Sequence, residues 1–188
     1  MVVGGREARG MSVEAGRMAY RIGQLGRGMV PWVSARDRVL AAAALTERQF
    51  AAFRRMAPAD QRHAVRVVRL LLAQGTRDPD LIVAGLLHDL GKVEAQGTGR
   101  VLLLHRVAKV LLARLLPELW ASLSATPRPG LARGYSLLRH HPALGAAWAA
   151  QLAVSPRACA LIAAHQEGTV CPDAAAALRQ LRHADDRA

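Results

Sequence analysis

At 188 residues, 52% hydrophobic but only 4% aromatic, the chain is long enough for one domain with a substantial core, and that core has to be aliphatic. No window reaches the roughly 18 uninterrupted apolar residues of a membrane span, the N-terminal stretch lacks the apolar run of a signal peptide, and Cys159 and Cys171 are too few for a disulfide scaffold or a thiolate zinc site. The net charge of +12 is almost all arginine, since Lys92 and Lys109 are the only lysines, and no aromatic-interleaved basic patch accompanies it.

Residues 1–33, rich in Gly and Arg, read as a loosely ordered lead-in; Met11, Met18 and Met29 leave the true start open. From 34 to 188 apolar residues recur at helical spacing, without an alternating strand run, so the expectation is a single all-α helical bundle. Helices are expected near 35–44 and 46–55, with Thr46 as a cap. Pro58-Ala59-Asp60 opens an amphipathic helix from Gln61 to about Ala73, closed by Gly75. Asp78-Pro79, a cap followed by a proline at the first helical position, starts the next, Asp80–His88. A long apolar helix from about Val101 to Leu116 should stop at Pro117, and 124–130 reads as a loop. Further helices are expected near 131–139, 142–153, 156–166 and 172–185.

Histidines and carboxylates are dealt out singly along these helices: His63, His88-Asp89, His141, His165 and Asp185. Such a set is what a chain needs to build a metal centre from separated segments. His63 shares a helix face with Val67 and Leu70 and points toward the core. His88 and Asp89 follow the apolar run 81–87, which has to be buried, and a buried Asp is expensive unless paired or metal-bound. His141 and His165 stand at expected helix ends, and His140 fits less well than His141. Asp185, three residues before the last one given, would ordinarily be a solvated acid. An arginine stripe, Arg62, Arg66 and Arg69, lies on the helix of His63, yet a nucleic-acid partner is disfavoured relative to an anionic small molecule.

His63, His88-Asp89 and Asp185 resemble the H…HD…D signature of the HD superfamily of metal-dependent phosphohydrolases, and His88-Asp89-Leu90-Gly91-Lys92 resembles the form common in its bacterial members. His141-Pro142 with Gly145, and His165, resemble the extra histidines of dinuclear members; Ala184-Asp185 resembles their closing pair. The match spans about 59–188. It lacks the signatures of cyclic di-GMP phosphodiesterases and of (p)ppGpp hydrolases, and the chain is shorter than dNTP triphosphohydrolases. In size it is similar to small stand-alone members, including those that cleave diadenosine polyphosphates.

The resemblance implies an HD-domain bundle that hydrolyses a nucleotide or other phosphoester; the missing membrane-span and signal-peptide patterns make the cytoplasm the expected location, with no membrane partner. One divalent ion, of Mn, Fe, Co, Ni or Zn, would be held by His63, His88, Asp89 and Asp185; Asp89 would bridge to a second held by His141 and His165. Asp89 and Lys92 would serve catalysis. Lys92 either meets a phosphate oxygen or caps the carbonyls of its helix end, and His105, Arg106 and Arg139 are either substrate contacts or ordinary surface residues. Two other readings fit the same residues: an HD-type sensor that binds metal or nucleotide without turnover, and a basic nucleic-acid-associated protein.

Overall fold

With few aromatics to fill space, the core is a close pack of branched side chains. Leu71, Leu81, Leu86, Leu87, Leu90, Leu161, Ile162 and Leu181 are sealed from solvent around Phe53. The computed structural model describes residues 33–188 apart from 97, 98 and 128. Among them the chain is all-α, with nine α-helices, three short 3-10 turns and no strand beyond an isolated bridge between Val93 and Arg100. The lead-in expected over 1–33 lies outside the described residues except for Val33, which is buried.

The helices are α1 (Ala35–Ala44), α2 (Glu47–Phe53), α3 (Pro58–Ala73), α4 (Pro79–Leu87), α5 (Leu103–Leu115), α6 (Pro117–Ala125), α7 (Arg133–Gln151), α8 (Pro156–Ala164) and α9 (Ala175–Arg187). The 3-10 turns are Leu90–Lys92, Gly130–Ala132 and Pro172–Ala174. α3 packs on α4 and α9, α4 on α8, and α8 on α7, while the Leu90–Lys92 turn lies against α7. Starts follow local capping: Thr46 and Gln49 form a reciprocal capping box on α2, Asp78 accepts from the amides of Asp80 and Leu81, and Ser155 from that of Ala158.

Four elements depart from expectation. Pro117 ends α5 but also opens α6, because a proline at the first helical position gives up only an amide that has no partner there. That shortens the expected loop 124–130. The helices expected at 131–139 and 142–153 are one, α7, with Pro142 inside it. α9 is entered through the turn Pro172–Ala174 rather than starting at Pro172. Finally, α5 turns most of its apolar side outward: Leu103, Leu104, Val107, Leu111 and Leu115 are all exposed, and His105 is its one buried residue.

Candidate metal centre

The centre is positioned first by two matched helices. α4 and α8 are each nine residues long, each begins with a side-chain cap followed by proline, and each is followed by a histidine at the C-cap, His88 and His165. Their first turns are tied together: Ser155 Oγ donates to Asp80 Oδ1 at 2.6 Å and Arg157 pairs with Asp78 at 2.8 Å. Equal lengths counted from joined starts bring the two histidines side by side, with ring centroids 5.1 Å apart. The last carbonyls of a helix lack partners within it, and each imidazole uses one. His88 Nδ1 donates to Gly85 O at 3.0 Å and His165 Nδ1 to Ile162 O at 2.7 Å, so both present Nε2 to the centre.

His141 reaches the same arrangement in mid-helix because of the residue after it. Pro142 has no amide to give Leu138, the carbonyl four residues back. His141 Nδ1 takes that vacancy at 2.9 Å, and its Nε2 also points inward. Pro142→Ala would supply the missing amide and compete for Leu138 O. The expected result is an equally or more stable helix that binds metal on the order of tenfold more weakly, read by thermal melting of the metal-stripped chain and by metal titration. Unchanged affinity would show that the proline does not set the ring.

Asp89 is delivered by a close approach of backbone to backbone. A Cβ on Gly91 would stand 2.1 Å from His141 O and 2.6 Å from the Gly145 amide nitrogen, while one on Gly145 would stand 3.0 Å from the Gly91 nitrogen. The Leu90–Lys92 turn therefore seats on α7 only with glycine at 91, and the short side of the contact puts Asp89 beneath His141.

Six residues converge in two groups, His63 with His88 and Asp185, and Asp89 with His141 and His165; the ligand atoms of each group lie within 4.8 Å of one another, and each group could hold a metal ion. His63 Nε2 is 2.7 Å from Asp185 Oδ1, and His141 Nε2 is 3.4 Å from Asp89 Oδ1. The groups are contiguous, since His88 Nε2 lies 3.5 Å from Asp89 Oδ2 and 3.4 Å from Asp185 Oδ1. His140, one residue from His141, is exposed and turns to Ala125 O instead.

The electrostatics favour a cation. Burial opposes a charged His88, yet the carboxylates of Asp89 and Asp185 push its pKa up to about 9. Burial and the neighbouring His88 push His165 down to about 3, and burial lowers His141. Both of these are thus neutral near pH 7 with the proton on Nδ1, where it serves the carbonyls. Their Nε2 lone pairs face each other at 3.3 Å, a repulsive arrangement unless positive charge lies against them. His88 Nε2 is likewise buried without a hydrogen-bond partner. Buried, unsatisfied and convergent nitrogens beside carboxylates fit a transition-metal ion. Burial would raise the carboxyl pKa values, but Lys92 and His88 hold Asp89, and His88 and His63 hold Asp185, well below the usual range.

Lys92 does not cap its helix end: Nζ lies 2.6 Å from Asp89 Oδ2 and 3.6 Å from Asp60 Oδ1. Arg106 Nη2 contacts both oxygens of Asp60 at 2.6 Å. His105 has no ring nitrogen left for a substrate, since Nδ1 accepts from the Leu102 amide at 2.9 Å and Nε2 meets Leu131 O at 2.7 Å. Its burial makes it a cap for α5, not a surface residue. Arg139 donates to Ser124 Oγ at 3.1 Å and ties α7 to α6. Arg69 pairs with Asp37 at 2.7 Å, joining α3 to α1.

Two residues escape the sequence reading. Asp60, 2% exposed, looks like any acid opening a helix. Arg182 of α9 donates to the carbonyls of Ala164, His165 and Gly168, completing the α8 end that presents His165. Its signal was an arginine one turn from Asp185, too common a residue here to stand out. No helix among the described residues is long and apolar enough to cross a membrane. No protein-family model, curated protein or solved structure matches the chain.

Proposed function

We propose that this chain is a metal-dependent phosphohydrolase of the HD type, acting on a nucleotide or other phosphoester. The observation that carries the reading is the pairing of two contiguous His/carboxylate groups with two cationic side chains, Lys92 and Arg106, linked to the centre through Asp89 and Asp60. His63, His88 and Asp185 would hold one divalent ion, Asp89, His141 and His165 a second. When bound, such an ion neutralises phosphoryl oxygens and makes water a nucleophile near neutral pH.

The chain's own groups supply the rest. The Nδ1–carbonyl bonds of His88, His141 and His165 fix the rings before substrate arrives, so no reorganisation is needed at the moment of reaction. The side chains of His88, Asp89 and His141 are 3% exposed or less, which keeps that side dry and strengthens every charge interaction there. His63 at 22%, Asp185 at 25%, Lys92 at 14% and Arg106 at 27% are more exposed, and a substrate would approach past them. Lys92 and Arg106 would neutralise oxygens of the incoming phosphate.

The test is elemental analysis together with hydrolysis of nucleotides and dinucleoside polyphosphates in Mn²⁺, Co²⁺, Ni²⁺ or Fe²⁺. We expect one or two ions per chain and turnover of at least one phosphoester. Full metal occupancy with no turnover across the panel would reject hydrolysis and leave a sensor.

A further inference from the structure

A carboxylate in the first turn of a helix suits the positive end of the helix dipole, and it does so most cheaply at the surface. Asp60 is in the first turn of α3 but is 2% exposed. Burying a charge is costly unless it is well paired, and here one carboxylate meets two cations from distant segments. Arg106 comes from α5, 46 residues away, and Lys92 from the turn that follows the metal-ligating Asp89. Arg106, Asp60, Lys92 and Asp89 thus form a continuous charged chain that ends in the centre.

The geometry of that chain leaves binding capacity unused. Asp60 takes a single nitrogen of Arg106, Nη2, and among the described residues Nε and Nη1 make no hydrogen bond. Lys92 has three donor protons and two carboxylate neighbours, one of them at 3.6 Å. The two cations repel each other, and Asp60 is the group that holds both. Their side chains keep some exposure, 14% for Lys92 and 27% for Arg106.

We propose that Asp60 is a positioning residue that sets Arg106 and Lys92 as a two-point anion clamp beside the metal centre, and that the clamp selects a terminal, dianionic phosphate over a singly charged diester. This rests on the phosphohydrolase reading of the centre. A terminal phosphate presents three unsubstituted oxygens, enough to meet both cations while one faces the metal ligands. A diester offers one fewer free oxygen and one less negative charge to share among the two cations and the centre.

The experiment titrates inorganic phosphate calorimetrically into the full-length, metal-loaded chain. Asp60→Asn should weaken phosphate binding about tenfold or more while metal content is unchanged, in line with the loss of a partner one shell out from a ligand. In turnover, KM for p-nitrophenyl phosphate should rise by a similar factor with a smaller change in kcat, and KM for bis-p-nitrophenyl phosphate should move little. Because Asp60→Asn leaves Arg106 without its carboxylate and Lys92 with Asp89 alone, the double variant Asp60→Asn/Arg106→Gln is measured beside it. It should regain melting temperature but not phosphate affinity. Recovery of phosphate binding in the double variant, or loss of metal in Asp60→Asn, would overturn the proposal by making Asp60 a structural support. Phosphate binding that depends on Asp60 in a chain that turns over nothing would reject hydrolysis and keep the clamp. Turnover indifferent to Asp60 would reject the clamp and keep hydrolysis.

Discussion

Asp89→Ala should strip the centre of metal and abolish the proposed phosphohydrolase activity. Asp89 belongs to one ligand group and its Oδ2 is 3.5 Å from His88 Nε2 of the other, so it stands where the two groups meet. It also neutralises Lys92 at 2.6 Å, in surroundings where its own side chain is 3% exposed. Removing it leaves that ammonium with Asp60 alone, which itself answers to Arg106. Breaking one side of a buried pair typically costs about 3–5 kcal/mol, so the variant should melt earlier even without metal. Pairing it with Lys92→Met should restore much of that stability, because the stranded charge goes too, but none of the metal. Elemental analysis and denaturant unfolding read the two effects separately. An Asp89→Ala protein that keeps stoichiometric metal would remove the residue from the ligand set.

What was legible in the sequence was local. Asp78-Pro79 and Ser155-Pro156 announce helix starts by side-chain capping, which needs only the next three residues, and both helices begin where they should. Histidine and aspartate inside or just after apolar runs stand out because burial leaves them few uses, and the structure brings together His63, His88, Asp89, His141, His165 and Asp185. The all-α class follows from the same periodicity.

What was not legible depended on partners far along the chain. Pro142 reads as a boundary by its own rule, and only His141 Nδ1 on Leu138 O shows why the helix carries on through it. His105-Arg106 reads as a pair of substrate contacts or of ordinary surface bases. In the fold one ring caps α5 and reaches Leu131, 26 residues on, while the neighbouring guanidinium grips Asp60. The apolar pattern of α5 is correct as a pattern, but periodicity fixes which residues share a face and not whether that face meets the core. Here Leu104, Val107 and Leu111 face solvent.

Asp185→Asn should weaken metal binding by about tenfold or more, as loss of a charged ligand does, and Asp186→Asn should leave it unchanged. The two acids are adjacent, but a helix turns each residue by about 100° from the last, so they serve different faces. Leu178, Leu181 and Ala184 are buried on α9, and Asp185 follows them to His63 Nε2 at 2.7 Å, while Asp186 is exposed. Arg182, one turn before, fastens the same helix to the end of α8, so the asparagine variant should hold its helix position while losing the charge that His88 faces. Deleting 185–188 should give a larger defect than the point variant, because Ala188 is itself packed in the core at 8% exposure. The point variant is therefore the decisive one. Metal per chain after equilibration at a fixed free Mn²⁺ concentration, with far-ultraviolet circular dichroism to show an intact helical fold, gives the answer. Equal metal retention by Asp185→Asn and Asp186→Asn would leave His63 and His88 without their carboxylate and would undo the first ligand group.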